Sequence, residues 1–318
     1  MTTGDRVAER IRVVFLGNDP WSVAPLLRLA ETEAIEIALV VTNPPRPAGR
    51  GARLRSTAVA DAARRLDVPL AEADSTSDPG LRERLGAMAP DALVVVAYGE
   101  LLGPPVLAVA RLGAVNVHLS LLPRWRGAAP VQHAILAGDP VTGVTIMQID
   151  DGLDTGPVLA RAEVRIGADE NAGTLGQRLS ELGARLLIPT LVDLDAGRIA
   201  REPQVGEVTM APKLGRSARH LSWEQPAIDV VRQVRAFAPV PGASTTWRGA
   251  GFKVLRATVL DDVVFPPGAV ASVEENTVVV GAGAGAVALV EVAPAGRRHM
   301  PAVLGVRGAR PTPGETFV

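Results

Sequence analysis

The chain has 318 residues, 47% of them hydrophobic and 21% charged, which supplies apolar material for two ordinary globular domains. Its 33 basic and 34 acidic side chains leave a formal charge of -1, so the overall balance gives no sign of a nucleic-acid partner, and any basic binding surface must be local. The absence of cysteine excludes disulfides, thiolate metal sites and a cysteine nucleophile, and four histidines leave little for a His-rich metal centre.

The opening run MTTGDRVAERIRVVFLG keeps its charges as far as Arg12 and then offers five apolar residues. That is too short for a signal-peptide core or a membrane span, so no membrane association and a cytoplasmic address are expected. From there to about residue 200, short apolar runs alternate with longer amphipathic ones. Strands are expected at Val13 to Leu16, Ile35 to Val41, Ala92 to Ala97, Ala114 to Leu119, Val144 to Ile149 and Val158 to Val164. Helices are expected at Val23 to Ala30, Thr57 to Leu66, Pro130 to Leu136 and Leu175 to Leu194. The alternation predicts an α/β domain with a mostly parallel sheet over 1–197. Residues 198–217, with Pro, Gly and mixed charge but no sustained period, read as a linker. Over 218–318 one helix, Pro226 to Phe237, precedes short runs at Lys253 to Leu260, Ala269 to Val273, Thr277 to Val280 and Ala286 to Val292, the pattern of a small antiparallel β-barrel. Residues 1–205 carry 21 basic and 25 acidic side chains and residues 206–318 carry 12 and 9, so the second part is mildly basic and compatible with a nucleic-acid partner.

The run AVNVHLSLLPRWRGAAP, Ala114 to Pro130, interrupts an apolar strand with polar residues two apart. Asn116, His118 and Ser120 therefore share one face, and Val115, Val117 and Leu119 the other. Asn supplies a neutral N–H donor and His either a donor or an acceptor, a pairing suited to an oxyanion that forms while a proton moves. A strand end becoming solvated would leave the same pattern. A second run, GVTIMQIDDGLDTGP, sets Asp150, Asp151 and Asp154 around a glycine-containing loop between two apolar strands. Its spacing is not that of an EF-hand, and no metal is expected. A carboxylate from this loop beside His118 would complete an acid/base site, and by spacing alone the three aspartates are equal candidates. The run VVVGAGAGAVALVEV mimics a dinucleotide fingerprint through Gly281, Gly283 and Ala286, but its second half, Val287 to Val292, alternates like a strand, so a glycine hairpin is expected rather than NAD binding. The first strand ends in GNDPW with only Gly17, which argues the same way at the N-terminal site.

Taken in order, VVFLGN, RPAGRG, VVVAYGELL, NVHLSLLPRWRGAAPVQHAI, TGVTIMQIDDGLDTGPVL, APKL and PAGRRHM resemble the methionyl-tRNA formyltransferase family over nearly the full chain. NVHLSLLPRWRGAAP with GLDTGP is specific to folate-dependent formyltransferases, and RPAGRG together with the C-terminal part favours the tRNA-directed members. The resemblance implies a Rossmann-like formyltransferase domain followed by an oligonucleotide-binding (OB-like) barrel that binds tRNA. It implies 10-formyltetrahydrofolate as the formyl-donor co-substrate, initiator Met-tRNA as acceptor, tetrahydrofolate as product, no metal, and action as a monomer. Carried over by position, the catalytic trio becomes Asn116, His118 and Asp154, and the folate-binding segment becomes Ser120, Leu121, Leu122 and Pro123. The loop RPAGRGARLR becomes the element that approaches the tRNA acceptor end, through Arg46, Arg50, Arg53 and Arg55.

The chain departs from the family pattern at Pro45, where an acidic residue is usual, and at Ala52 and Arg53, where paired lysines are common. Ser222-Trp223 and FAPVP, Phe237 to Pro241, replace familiar C-terminal elements. The implied chemistry is direct transfer: the methionyl amine attacks the formyl carbon, Asn116 and protonated His118 stabilise the developing oxyanion, and Asp154 supports His118 and organises proton movement. Formyltransferases acting on a nucleotide sugar or a small ribonucleotide amine share the trio but have no need of the arginine loop or the barrel. A non-catalytic RNA-binding module and a folate hydrolase are the readings from other classes.

Overall fold

The computed structural model describes residues 10–48, 51–261, 264–307 and 314–318. Their contacts separate into two units that alternate along the chain. The first comprises the described residues up to Ala128 with Thr142–Val164 and Gly176–Ala211, and the second Ala129–Val141, Arg165–Leu175 and the described residues from Pro212 onward.

The chain begins with β1 (Ile11–Gly17), α1 (Val23–Ala30), β2 (Ile35–Thr42), β3 (Arg46–Ala48), β4 (Arg53–Arg55), α2 (Ala58–Arg65), β5 (Leu70–Glu72) and α3 (Pro79–Met88). It continues through β6 (Ala92–Val96), α4 (Pro104–Leu107), β7 (Ala114–His118), α5 (Pro130–Ala137), β8 (Val141–Gln148), β9 (Val158–Arg165) and α6 (Ala172–Asp195). Among the described residues, seven strands form one sheet in the order β5-β2-β1-β6-β7-β8-β9. The pairs from β5 to β7 are parallel and β7–β8 is antiparallel. The chain steps outward on one side of β1, then returns to place β6 on the other. This reversal is the Rossmann-like feature that opens a crevice at the C-terminal ends of the strands.

Both sheet faces are covered, so the central strands are continuously apolar rather than alternating. Val14 and Leu16 join Leu39, Val41, Leu93 and Val95 against Leu81 and Leu85 of α3 and Val106 of α4. Val13 and Phe15 point the other way and are equally buried. On that second face α6 approaches closely because Gly183 has no side chain: a Cβ there would fall 2.6 Å from Val117 Cγ1. Local capping starts the shorter helices. Thr57 Oγ1 accepts from Ala60 N at 3.0 Å, and Asp78 Oδ1 accepts from Leu81 N at 2.7 Å with Pro79 in the first position. Each cap contributes about 1 kcal/mol.

The segment RPAGRGARLR, expected as a loop, contains an antiparallel ribbon in which Arg46 faces Arg55 and Ala48 faces Arg53. Arg50 lies outside the described residues.

In the second unit α5 packs against α7 (Ala227–Phe237), whose Val230, Val231 and Val234 are buried. The chain then forms β10 (Ala243–Trp247), β11 (Ala250–Leu260), β12 (Val270–Val273), β13 (Val278–Gly281), β14 (Ala286–Pro294), β15 (Met300–Pro301) and α8 (Ala302–Arg307). The sheet runs β10-β11-β14-β13-β12, with antiparallel neighbours and β15 on β14. The C-terminal residues bridge its two edges: Phe317 pairs with Trp247 of β10, and Thr316 pairs with Ala269 beside β12. These bridges tie both edge strands to the same C-terminal residues, as in a small closed barrel. Trp223, Trp247, Phe252 and Phe317 fill it, and Trp247 stacks on Phe317 with centroids 5.7 Å apart. The glycine run closes the β13–β14 hairpin, with Gly281 opposite Ala286, and opens no helix. Among the described residues no helix is long and apolar enough to cross a membrane.

Candidate active site

β7 ends at the C-terminal edge of the parallel strands and carries Asn116, half-buried, and His118, buried. Asn116 sits opposite Met147 and His118 opposite Thr145 of β8, so the strand is held on both sides and the two polar side chains leave it in the same direction. Asp154 reaches them from the loop between β8 and β9. Its Oδ1 accepts a long hydrogen bond from Asn116 Nδ2 at 3.4 Å, and its Oδ2 accepts from Gly127 N at 2.8 Å. The same Oδ2 stands 3.6 Å from His118 Nδ1, while His118 Nε2 lies 3.0 Å from the Trp125 carbonyl oxygen. Both ring nitrogens thus face oxygens, Nε2 within hydrogen-bonding range and Nδ1 just outside it.

The other two aspartates do different work. Asp150 Oδ1 accepts from Gly152 N at 3.1 Å and from Thr155 Oγ1 at 2.6 Å, which ties the loop into a turn. Asp151 is exposed. Asp154 adopts φ +52°, a left-handed conformation that turns its side chain inward.

After β7 the chain makes a turn whose polar atoms are largely used internally. Ser120 Oγ donates to Arg124 O at 2.6 Å, Thr145 Oγ1 donates to Ser120 O at 2.7 Å, and Leu122 N donates to Thr145 Oγ1 at 3.1 Å. Of the four residues expected to meet folate, Ser120, Leu122 and Pro123 are buried and Leu121 is half-buried. Arg124 lies over the Trp125 ring, 4.3 Å from its centroid.

The first part of the segment expected as a linker runs along this turn. Trp125 N donates to Thr209 Oγ1 at 2.9 Å, Arg126 N donates to Thr209 O at 2.9 Å, and Ala211 N donates to Arg126 O at 2.7 Å. Gly127, at φ +124°, lets the two chains meet: a Cβ there would lie 2.7 Å from Ala211 O. Gln204 reaches the Asp154 loop from the same segment. Sequence patterning identifies none of Arg126, Gly127, Gln204 and Thr209 as site residues. The glycine in RWRGAAP is a local signal for a special backbone conformation, whereas Gln204 and Thr209 give none.

The neighbouring strand ends are joined by Asn18, directly after β1. Its Nδ2 donates to Tyr98 O, and its Oδ1 accepts from Thr42 Oγ1 at 2.9 Å and Asn43 N at 2.7 Å, linking the ends of β1, β2 and β6. Burial, reinforced by the charge of Glu100, pushes the Tyr98 hydroxyl up to about 12, so it stays protonated at neutral pH.

The arginine ribbon has a different character. Arg46, Arg53 and Arg55 are exposed, and the register places all three on one face, with Leu54, 70% exposed, on the other. Arg46 pairs with Asp74 at 3.3 Å, an acidic partner from a distant part of the sequence.

Comparison with known proteins fits this geometry. Residues 10–191 match the formyl transferase family and residues 213–310 the formyl transferase C-terminal domain. The chain belongs to the formyl transferase family. Within that family it groups with the methionyl-tRNA formyltransferases. It is 44% identical to the one from Roseiflexus sp. (strain RS-1), over 96% of this chain and 94% of that protein. It is also 44% identical to the one from Methylococcus capsulatus, over 92% and 95%. Among solved structures, HypX from Aquifex aeolicus in complex with tetrahydrofolic acid matches with a TM-score of 0.67 at 19% identity, over 94% of this chain and 47% of that one. The Helicobacter canadensis N-formyltransferase in complex with folinic acid and dTDP-3-aminofucose matches with a TM-score of 0.65 at 14% identity, over 88% and 99%. These two structures speak for the fold.

Proposed function

We propose that this protein transfers the formyl group of 10-formyltetrahydrofolate to the free amino group of methionine on initiator tRNA. The observation that carries this reading is the cluster of Asn116, His118 and Asp154 at the end of β7, in a chain that matches methionyl-tRNA formyltransferases over nearly its whole length. The bound donor supplies an electrophilic formyl carbon and a nitrogen leaving group. Asn116 Nδ2, on the firmly paired end of β7 and in a long bond to Asp154, presents a donor to the formyl oxygen as negative charge develops there, and His118 supplies the second donor. As the methionyl amine bonds to the formyl carbon, the proton it loses passes by way of His118 and Asp154 to the departing nitrogen, so no proton is gained or lost overall. The residues fit such a donor chemically: a neutral amide, an imidazole and a carboxylate converge at the edge of a sheet where neighbouring loops expose the apolar side chains Leu101 and Leu153.

Recognition of tRNA is assigned to Arg46, Arg50, Arg53 and Arg55 and to the C-terminal domain. Arg46, Arg53 and Arg55 on one face of a ribbon suit phosphates of an acceptor stem. In the second unit Lys253 and His299 line an open groove of about 430 Å³ together with Arg256, which is paired there with Glu291 at 3.1 Å. The buried turn Ser120 to Pro123 acts as a wall of the folate site by shape rather than through the Ser120 hydroxyl. The enzyme works in the cytoplasm, and as a monomer, the latter supported by Asn116, His118 and Asp154 all coming from one unit of one chain.

The test offers formyl-labelled 10-formyltetrahydrofolate together with Met-tRNA, a nucleotide amino sugar and water as competing acceptors. Label is expected on Met-tRNA. Label on the sugar, or released as formate, would replace this reading with a sugar formyltransferase or a folate hydrolase.

A further inference from the structure

Gln204 lies beyond α6 in a stretch with little regular structure, yet its carboxamide uses its full hydrogen-bonding capacity. Nε2 donates to Asp154 O and to Gly156 O, both at 2.8 Å. Oε1 accepts from Arg126 Nε at 3.1 Å and Nη2 at 2.7 Å. Both N–H groups find acceptors and both lone pairs find donors. The two loops it joins are those that define the Asp154 carboxylate: the loop from which Asp154 projects, and the turn whose Gly127 N gives that carboxylate its shortest hydrogen bond, at 2.8 Å.

Asp154 needs such support. Its φ of +52° is left-handed, a region that aspartate enters more readily than most residues but only as an isolated position held by its surroundings. The 3.6 Å gap between Asp154 Oδ2 and His118 Nδ1 lies just outside hydrogen-bonding range, so a displacement of a few tenths of an ångström decides whether the pair is in contact.

We propose that Gln204 is a positioning residue: by holding the carbonyls of Asp154 and Gly156 it sets where the Asp154 carboxylate meets His118, without itself touching either substrate. The inference rests on the catalytic role given to Asp154 under the proposed function. A misplacement of about 1 Å in a reacting group lowers a rate by about 10²-fold, which bounds the expected effect.

The test is a double-mutant cycle in the full-length enzyme. Gln204→Glu keeps the length of the side chain and its acceptors for Arg126 but turns an oxygen, with no proton to donate, toward two carbonyls. Gln204→Met removes donors and acceptors at similar volume and is read in the same cycle, so that a misfolded Glu variant leaves the question decidable. Each is made alone and with Asp154→Asn. Label transfer is measured in single turnovers alongside kcat, KM for both substrates and the unfolding midpoint. Either Gln204 variant is expected to lower kcat by about 10- to 100-fold with both KM values within about threefold. In the Asp154→Asn background the same change should lower the rate by less than about twofold, because the group it positions is already lost. Wild-type kcat in the Gln204 variants, an equal loss in both backgrounds, or a rise in KM alone would each overturn the proposal. Wild-type turnover by Asp154→Asn would overturn both this inference and the catalytic reading beneath it. Loss of activity in Asp154→Asn with none in the Gln204 variants would overturn this inference alone.

Discussion

The Asn116–His118–Asp154 cluster and the arginine ribbon solve opposite problems within one unit. The cluster is built from a central strand and two loops, and its members are buried or half-buried and bound to one another or to backbone groups. The ribbon is a pair of three-residue strands whose arginines stand in solvent, and the one ion pair found there among the described residues joins two exposed groups, Arg46 and Asp74. Chemistry at a developing oxyanion requires donors fixed beforehand in a site poor in water. A polyanion is recognised by charges that can adjust, and its attraction falls with added salt. Rigidity serves the first task and adaptability the second.

Three experiments put this contrast at risk. The largest effect is expected at the cluster. Asn116→Ala should lower kcat by about 10² to 10³ with little change in folate affinity, and His118→Ala and Asp154→Asn at least as much. Their losses should not add, since the groups act as a unit. Near-normal turnover in any single variant, measured beside its stability, would remove that residue from the mechanism.

A smaller loss is expected at Gly127→Ala. A Cβ there meets Ala211 O, at a φ unfavourable to any side chain, so the turn must shift and draw Gly127 N away from Asp154. Roughly tenfold lower kcat together with a lower melting temperature is expected. An unchanged kcat would show that the carboxylate does not depend on this turn.

The smallest effect belongs to the ribbon, where sign matters more than size. Arg46→Ala should weaken Met-tRNA binding, leave folate binding intact and flatten the dependence of log affinity on log salt by about 0.7 to 0.9. Asp74→Asn should do the reverse, because it releases Arg46 from its acidic partner. Folding stability should barely change in either variant, since an exposed ion pair is worth about 0–1 kcal/mol. Equal salt dependence in the two variants and the wild type would take tRNA away from the ribbon.

Much of this arrangement is readable in the residues. The central strands show as apolar runs because burial on both faces demands it, and Asn116 and His118 stand out because polar groups two apart interrupt one of them. Asp154 is not distinguishable from Asp150 and Asp151 by spacing, since a loop's path is set by its own turns and by the groups it lands on. The short helix α3 is not among the helices that patterning predicts, because periodicity over ten residues is weak; its one local signal is Asp78-Pro79, a cap followed by a helix-starting proline. The ribbon β3–β4 hides behind proline and arginine, which are poor strand markers. Residues 198–211 read as a connection because Pro, Gly and mixed charge carry no period. Their contribution lies in single hydrogen bonds from Gln204, Thr209 and Ala211, which no pattern encodes.

The membership of α5 in the second unit bears on how the protein is made. This helix comes after the turn that ends β7, yet Val131, Ala134 and Ile135 bury an apolar face in the unit that also holds α7. On the ribosome α5 is complete while residues 138–226 have still to be synthesised, so its apolar stripe waits uncovered until α7 emerges. The barrel waits longer still, because the strand pairing that closes it uses Thr316 and Phe317. Chains stalled or cut before α7 will carry an exposed helix face, and those ending between α7 and Thr316 an open sheet edge, which are the surfaces that chaperones hold and proteases find.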